Sequence, residues 1–178
     1  NPATDLPIFG APKTLAVNPT LIKHTKVILA PEDETATGPN YPRTVSLTVD
    51  VATGETVSAL TVSDSLPAKF QFIAVTNPAG CTAIAMPSTS SPGSTLAFDC
   101  GVITGAAGVD RTISFTFYVP LSDSAATPVL DGTTPSPVAI TNESSLSGTY
   151  QGTPLPPVLG SDVITAKALA LRKGGAVV

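Results

Sequence analysis

The sequence predicts an all-β fold, a sandwich of about seven to nine antiparallel strands, and three observations predict it. Thr and Val are strand formers and are abundant, while 14 Gly and 18 Pro cut the chain at close intervals. No stretch of about ten residues keeps a helical period without meeting one of those breakers. Strand-like segments recur at spacings of roughly 8–15 residues with turn signals between them, the rhythm of a sandwich.

Residues 1–20 carry Pro2, Pro7, Pro12 and Pro19, which exclude a central strand. Their apolar residues, Leu6, Ile8, Phe9, Leu15 and Val17, suit an extended edge strand or polyproline segment. Leu21–Leu29 alternates, with Leu21, Lys23, Thr25, Val27 and Leu29 on one face and Ile22, His24, Lys26 and Ile28 on the other. Both faces are mixed, so neither is marked as inward. A loop over 31–42 holds the acidic run Glu32-Asp33-Glu34. Arg43–Val51 is the clearest strand: Val45, Leu47, Val49 and Val51 point in, Ser46, Thr48 and Asp50 out.

Thr53-Gly54 turns the chain and Leu60 and Val62 follow in a strand. Asp64-Ser65-Leu66-Pro67 reads as a turn that Asp64 caps through its own backbone amides. Phe70–Val75 is the next strand. Cys81–Met86 and Leu96–Cys100 form a hairpin around the tip Pro87–Ser94. Arg111–Val119 sets Ile113, Phe115, Phe117 and Val119 on one face. After the loop 122–137 comes a strand over Val138–Tyr150, then a linker over Gln151–Gly160 with Pro154, Pro156 and Pro157, and an apolar β-capable segment over Val163–Leu171. The chain thus divides into an extended segment at 1–20, a sandwich domain at 21–150, and a linker with a final strand at 151–178.

Composition narrows function. Only 12% of residues are charged, about half the usual share, and 41 Ser and Thr cover the surface instead. A net charge of −4 with nine scattered basic residues excludes nucleic acid, which needs a basic face. No apolar run approaches a membrane span. No signal peptide stands at Asn1, so it has been removed or the chain is a fragment. Few Lys and Glu and many hydroxyls point to an extracellular, cell-surface protein. No catalytic motif is present: His24, the one histidine, lies mid-strand, and there is no Gly-x-Ser-x-Gly elbow. The chain is therefore read as a non-enzyme without a cofactor.

Residues 41–67, YPRTVSLTVDVATGETVSALTVSDSLP, resemble the strand, turn, strand and V-x-D-x-L-P signature of a large family of bacterial and archaeal surface repeats, a conserved repeat domain of unknown function. The resemblance continues into GCTAIAMPSTSSPGSTLAFDCGVITGAAGVDRTISFTFYV, and ITNESSLSGTY is similar to the family's closing T-N-x-A-x-V-x-G strand. It covers roughly 21–150. Departures are a longer Ser/Pro hairpin tip and the polar Asn142-Glu143-Ser144-Ser145. The resemblance implies an immunoglobulin-like sandwich in stalks, adhesins, envelope layers or fibres, and it fixes no ligand.

Cys81 and Cys100 fall on consecutive strands, where an ordinary hairpin register lets them pair; the alternative is two buried thiols. Glu32-Asp33-Glu34 could hold calcium, but adjacent loop acids are more often simply solvated. Lys23 or Lys26 on the first strand and Asn142 on the last suit a Lys–Asn isopeptide bond, with Asp50 or Asp110 as the neighbouring acid, although Asp50 is patterned outward. Asn142-Glu143-Ser144 is also a glycosylation sequon. The apolar residues of the tails, Leu6, Ile8, Phe9, Leu15, Val17, Val163, Leu169 and Leu171, suit a strand added to a neighbour's sheet. Partners are then copies in a homo-polymer or neighbouring repeats of one surface protein. The competing reading is an adhesin domain binding through loops 31–42, 87–94 or 122–137.

Overall fold

The computed structural model describes residues 20–30, 36–130 and 137–167. Leu6, Ile8, Phe9, Leu15, Val17, Leu169, Leu171 and the acidic run 32–34 lie outside the described residues. The described strands are β1 (Ile22–Leu29), β2 (Arg43–Val51), β3 (Thr56–Leu66), β4 (Gln71–Asn77), β5 (Thr82–Ala85), β6 (Ser94–Thr104), β7 (Arg111–Tyr118), β8 (Val138–Tyr150), the two-residue β9 (Thr153–Pro154) and β10 (Val158–Ala166). They form the predicted antiparallel sandwich. One sheet runs β1-β2-β7-β4 and the other β10-β8-β3-β6-β5, with β9 on the end of β8.

Alternation builds the core. Val45, Leu47 and Val49 of β2 and Ile113, Phe115 and Phe117 of β7 have no exposure, and they face Val62 of β3, Leu96 and Phe98 of β6 and Leu146 of β8. Each such side chain stabilises by about 1.5–3 kcal/mol on burial. Phe70, just before β4, stacks on Phe117 with centroids 4.0 Å apart.

Two expectations are corrected. The Asp64 turn does not exist: β3 continues through Leu66, and the chain turns only afterwards, where Phe70 N–H donates to the Pro67 carbonyl (2.9 Å). The ladder to β6 is regular from Thr61 to Leu66, and the bulge lies before it. Ala59 has a φ of 48° and the ladder to β6 shifts between Val57 and Leu60, so both of those face in. From Leu60 onward the inward positions are Val62, Asp64 and Leu66, and Asp64 is carried into the interior. The final strand also begins earlier than Val163. β10 pairs with β8 from Val158↔Leu146 to Ala166↔Val138, so the sandwich runs on past Tyr150, and Pro157 marks where a ladder donor is last missing.

The hairpin of β5 and β6 is as expected, and Cys81, immediately before β5, is bonded to Cys100 with Cα atoms 4.3 Å apart. On the opposite flank β1 and β10, the outer strands of the two sheets, lie side by side. That flank holds the polar groups described next.

Candidate functional site

The inward face of β1 is Ile22, His24, Lys26 and Ile28, and two of those four are polar. Opposite it, β8 points Ile140, Asn142, Ser144 and Leu146 inward. Lys26 Nζ donates to Asp64 Oδ2 from β3, and neither side chain has any exposure. Asn142 is fully buried beside them, its amide near Asp64 without a formed hydrogen bond. Yet neither the Nδ2 nor the Oδ1 of Asn142 has a hydrogen-bond partner, and nor does Asp64 Oδ1.

Burial decides the charge state of this cluster. It pulls the Lys26 ammonium below its usual range and pushes the Asp64 carboxyl above its own, and the mutual attraction of the pair opposes both shifts without reversing them. Both shifts run toward the neutral amine and the neutral acid. The amine, the acid and an amide without a hydrogen-bond partner stand together in a dry site.

The rungs on either side are also polar. His24 Nδ1 lies 2.9 Å from the Thr48 carbonyl, which can only accept, so Nδ1 carries the proton. Nε2 then accepts from the Ser144 hydroxyl at 2.7 Å. Burial, then the neighbouring Lys26 charge, hold the His24 imidazole below its ordinary range, while the Thr48 bond opposes them. The pair is enclosed between the sheets, with a backbone carbonyl where a hydrolytic triad has a carboxylate. On the other side, Ile28 N–H donates to Asp162 Oδ2 of β10 at 2.7 Å.

Among the residues singled out in sequence, the structure brings together Lys26 and Asn142 and separates the rest. Lys23 is exposed on the outer face, opposite Asp50 in the β1–β2 register. Asp110 accepts from Val51 N–H (2.7 Å) and Ala106 N–H (2.8 Å), so it fastens a turn. Neither Asp50 nor Asp110 is the acid at this site; Asp64 is, in step with Leu60 and Val62 on the inward side of β3. Burial of Asn142 leaves no room for a glycan on its sequon in the folded chain. Val163 is exposed on β10 and paired to Thr141 within its own sheet. Asp64, Ser144, Gly160 and Asp162 were not marked as site residues by sequence; the one available signal was the inward parity of Asp64 with Val62 and Leu66. Among the described residues no cluster of three His, Cys, Asp or Glu could hold a metal.

No protein-family model and no curated protein sequence matches the chain. Solved structures do. It is similar to the full-length major pilin SpaD of Corynebacterium diphtheriae (TM-score 0.53, 13% identity), covering 80% of this chain and 35% of SpaD. It is similar to BcpA, the major pilin subunit of Bacillus cereus (TM-score 0.52, 10% identity), over 82% of this chain and 40% of BcpA. Domains D2 and D3 of SpaD alone give a TM-score of 0.53 at 14% identity, over 79% of this chain and 51% of that one. The chain thus spans between a third and about a half of these pilin structures, and what it shares with them is the β-sandwich fold.

Proposed function

We propose that this chain is a non-enzymatic structural module of an extracellular filament, braced by an amide bond that it forms within itself between Lys26 and Asn142, with Asp64 as the acid. The observation that carries the bond is the unpartnered Asn142 amide. Leaving a buried polar group unsatisfied costs about 1–3 kcal/mol, and such a group in a native interior calls for an explanation such as reactivity.

The chemistry balances with the groups present. Asp64 takes a proton from Lys26, and the Nζ lone pair attacks Cγ of Asn142. Asp64 lends its proton to the amide as the Cγ–Nδ2 bond breaks, ammonia leaves, and Asp64 recovers a proton from Nζ. The product is one Nζ–Cγ amide and a protonated Asp64. Intact-mass measurement on the reduced protein tests it. The wild type should be lighter than its sequence by one ammonia, and Lys26→Ala, Asn142→Ala and Asp64→Ala should each carry their full mass. A wild type of full sequence mass overturns the bond.

The filament reading is supported by the major-pilin fold, the charge-poor surface and a disulfide suited to an oxidising, extracellular setting. Copies join by β-strand addition through residues 1–20 or the residues after Ala166, since Val163 already has a partner strand. Native material should run as a ladder of polymers, and deletion of residues 1–20 should abolish it; fibres that persist rule out the N-terminal donor. A second reading, a stalk or ligand-binding domain of a larger surface protein, is favoured by the chain's partial coverage of the pilins. It predicts a monomer of 17.9 kDa in solution.

A further inference from the structure

Lys26 is pegged on both sides. Two residues before it, His24 reaches across to Ser144 of the other sheet. Two residues after it, the Ile28 amide is held by Asp162. Both pegs end beside Asn142: Ser144 is the next inward residue of β8, and Asp162 is the cross-strand partner of Asn142 on β10.

β10 contributes to each peg. Asp162 supplies a carboxylate to a lone edge amide, a charge-assisted bond. Gly160 supplies, by lacking a side chain, the space for the pair, while its carbonyl, 3.2 Å from the Ser144 oxygen, is the weaker competitor for the one hydroxyl proton that Nε2 takes. A Cβ at Gly160 would lie 3.0 Å from Ser144 Oγ and 3.0–3.1 Å from His24 Cδ2 and Nε2. Glycine weakens a strand interior, so its place here needs a local reason, and the His24–Ser144 pair is that reason.

We propose that β10 arms the crosslink: Asp162, together with the His24–Ser144 pair that Gly160 admits, are positioning residues that hold β1 where Lys26 meets Asn142 and Asp64. This rests on the amide bond proposed above. β10 follows every other described strand in sequence, so the bond forms only once the chain through Ala166 has docked. It then marks a completed sandwich and cannot trap a partly folded one.

The test is a time course of ammonia loss by intact mass after cell-free synthesis of the full chain, with near-ultraviolet circular dichroism to confirm folding. Asp162→Ala and Gly160→Ala should slow the loss about tenfold or more, since small misplacements of reacting groups cost rate steeply. Asp162→Asn keeps an acceptor oxygen for the Ile28 amide and should restore near wild-type speed, a rescue that a charge requirement would not give. Should Asp162→Ala fail to fold, Ser144→Ala removes only a hydroxyl and should show the same slowing. Wild-type rates in all of Asp162→Ala, Gly160→Ala and Ser144→Ala overturn the positioning role alone. A wild type that never loses ammonia overturns the amide bond and the positioning role with it.

Discussion

On one flank of the sandwich β4 and β5 follow one another in the chain, joined through Pro78-Ala79-Gly80, and Cys81 bonds to Cys100 at their base. On the other flank β1 and β10 are the first and last described strands, and what holds them together is buried polar chemistry: Lys26 with Asp64, His24 with Ser144, Ile28 with Asp162. Chain connectivity does for the first pair what side chains must do for the second. The disulfide and the proposed amide bond differ accordingly. The disulfide stays within one sheet and spans 19 residues, a closure that stabilises by about 3 kcal/mol. A Lys26–Asn142 bond ties one sheet to the other across most of the fold, and closing a loop of about 100 residues stabilises by nearly 5 kcal/mol.

That contrast can be broken most sharply at Lys26. Lys26→Ala removes the interstrand link and leaves the buried Asp64 carboxyl without its partner, a loss of about 1–3 kcal/mol beyond the loop term. Scanning calorimetry should show Tm lower by on the order of 20 °C; a drop of only a few degrees would mean that the flank is held by other contacts. Next comes the disulfide. Cys81→Ser with Cys100→Ser should lower Tm by about 6–12 °C, from a loss near 3 kcal/mol, while ammonia loss at the far flank goes on unchanged. Because the links sit on opposite flanks, their stability losses should add to within about 0.5 kcal/mol in chemical denaturation. A larger coupling would show that the two flanks communicate through the core.

The smallest effect is a pH dependence confined to the polar flank. His24 is held below its ordinary value near 6.5, so the unfolded chain takes up a proton that the folded chain refuses. The unfolded state then binds more protons, and stability falls as pH drops below about 6.5. Tm should decline by a few degrees between about pH 7 and 5, and His24→Gln should flatten that part of the profile. A wild-type curve identical to that of His24→Gln would place the titration elsewhere.

The disulfide flank was legible in sequence because its signals are local. The inner strands β2 and β7 announce themselves by alternation, and on the disulfide flank Cys81 and Cys100 fall on consecutive strands. The polar flank was half legible. Lys26 and Asn142 stood out by residue type and strand position, but the mixed faces of β1 hid its inward side, because a face carrying His24 and Lys26 does not read as core. Asp64 was assigned to a turn on the strength of Asp-Ser-Leu-Pro, although it keeps the period-two step of Leu60 and Val62; the bulge at Ala59 only lets Val57 face in as well. The His24–Ser144 bond joins residues 120 apart in sequence, and no local rule reaches that far.

Asn142 opens the tripeptide Asn142-Glu143-Ser144, and the nitrogen that leaves as ammonia in the proposed reaction is the same atom to which an N-linked oligosaccharide attaches. The two fates exclude one another. A cell that glycosylates nascent chains would place a sugar on Asn142 before the sheets close, and the closed interior has no space for it. Deleting the sequon at Ser144 would remove the hydroxyl that His24 uses. If the proposed bond forms, the choice of host for producing this protein is therefore a choice between a braced sandwich and a sugar-bearing chain that cannot shut.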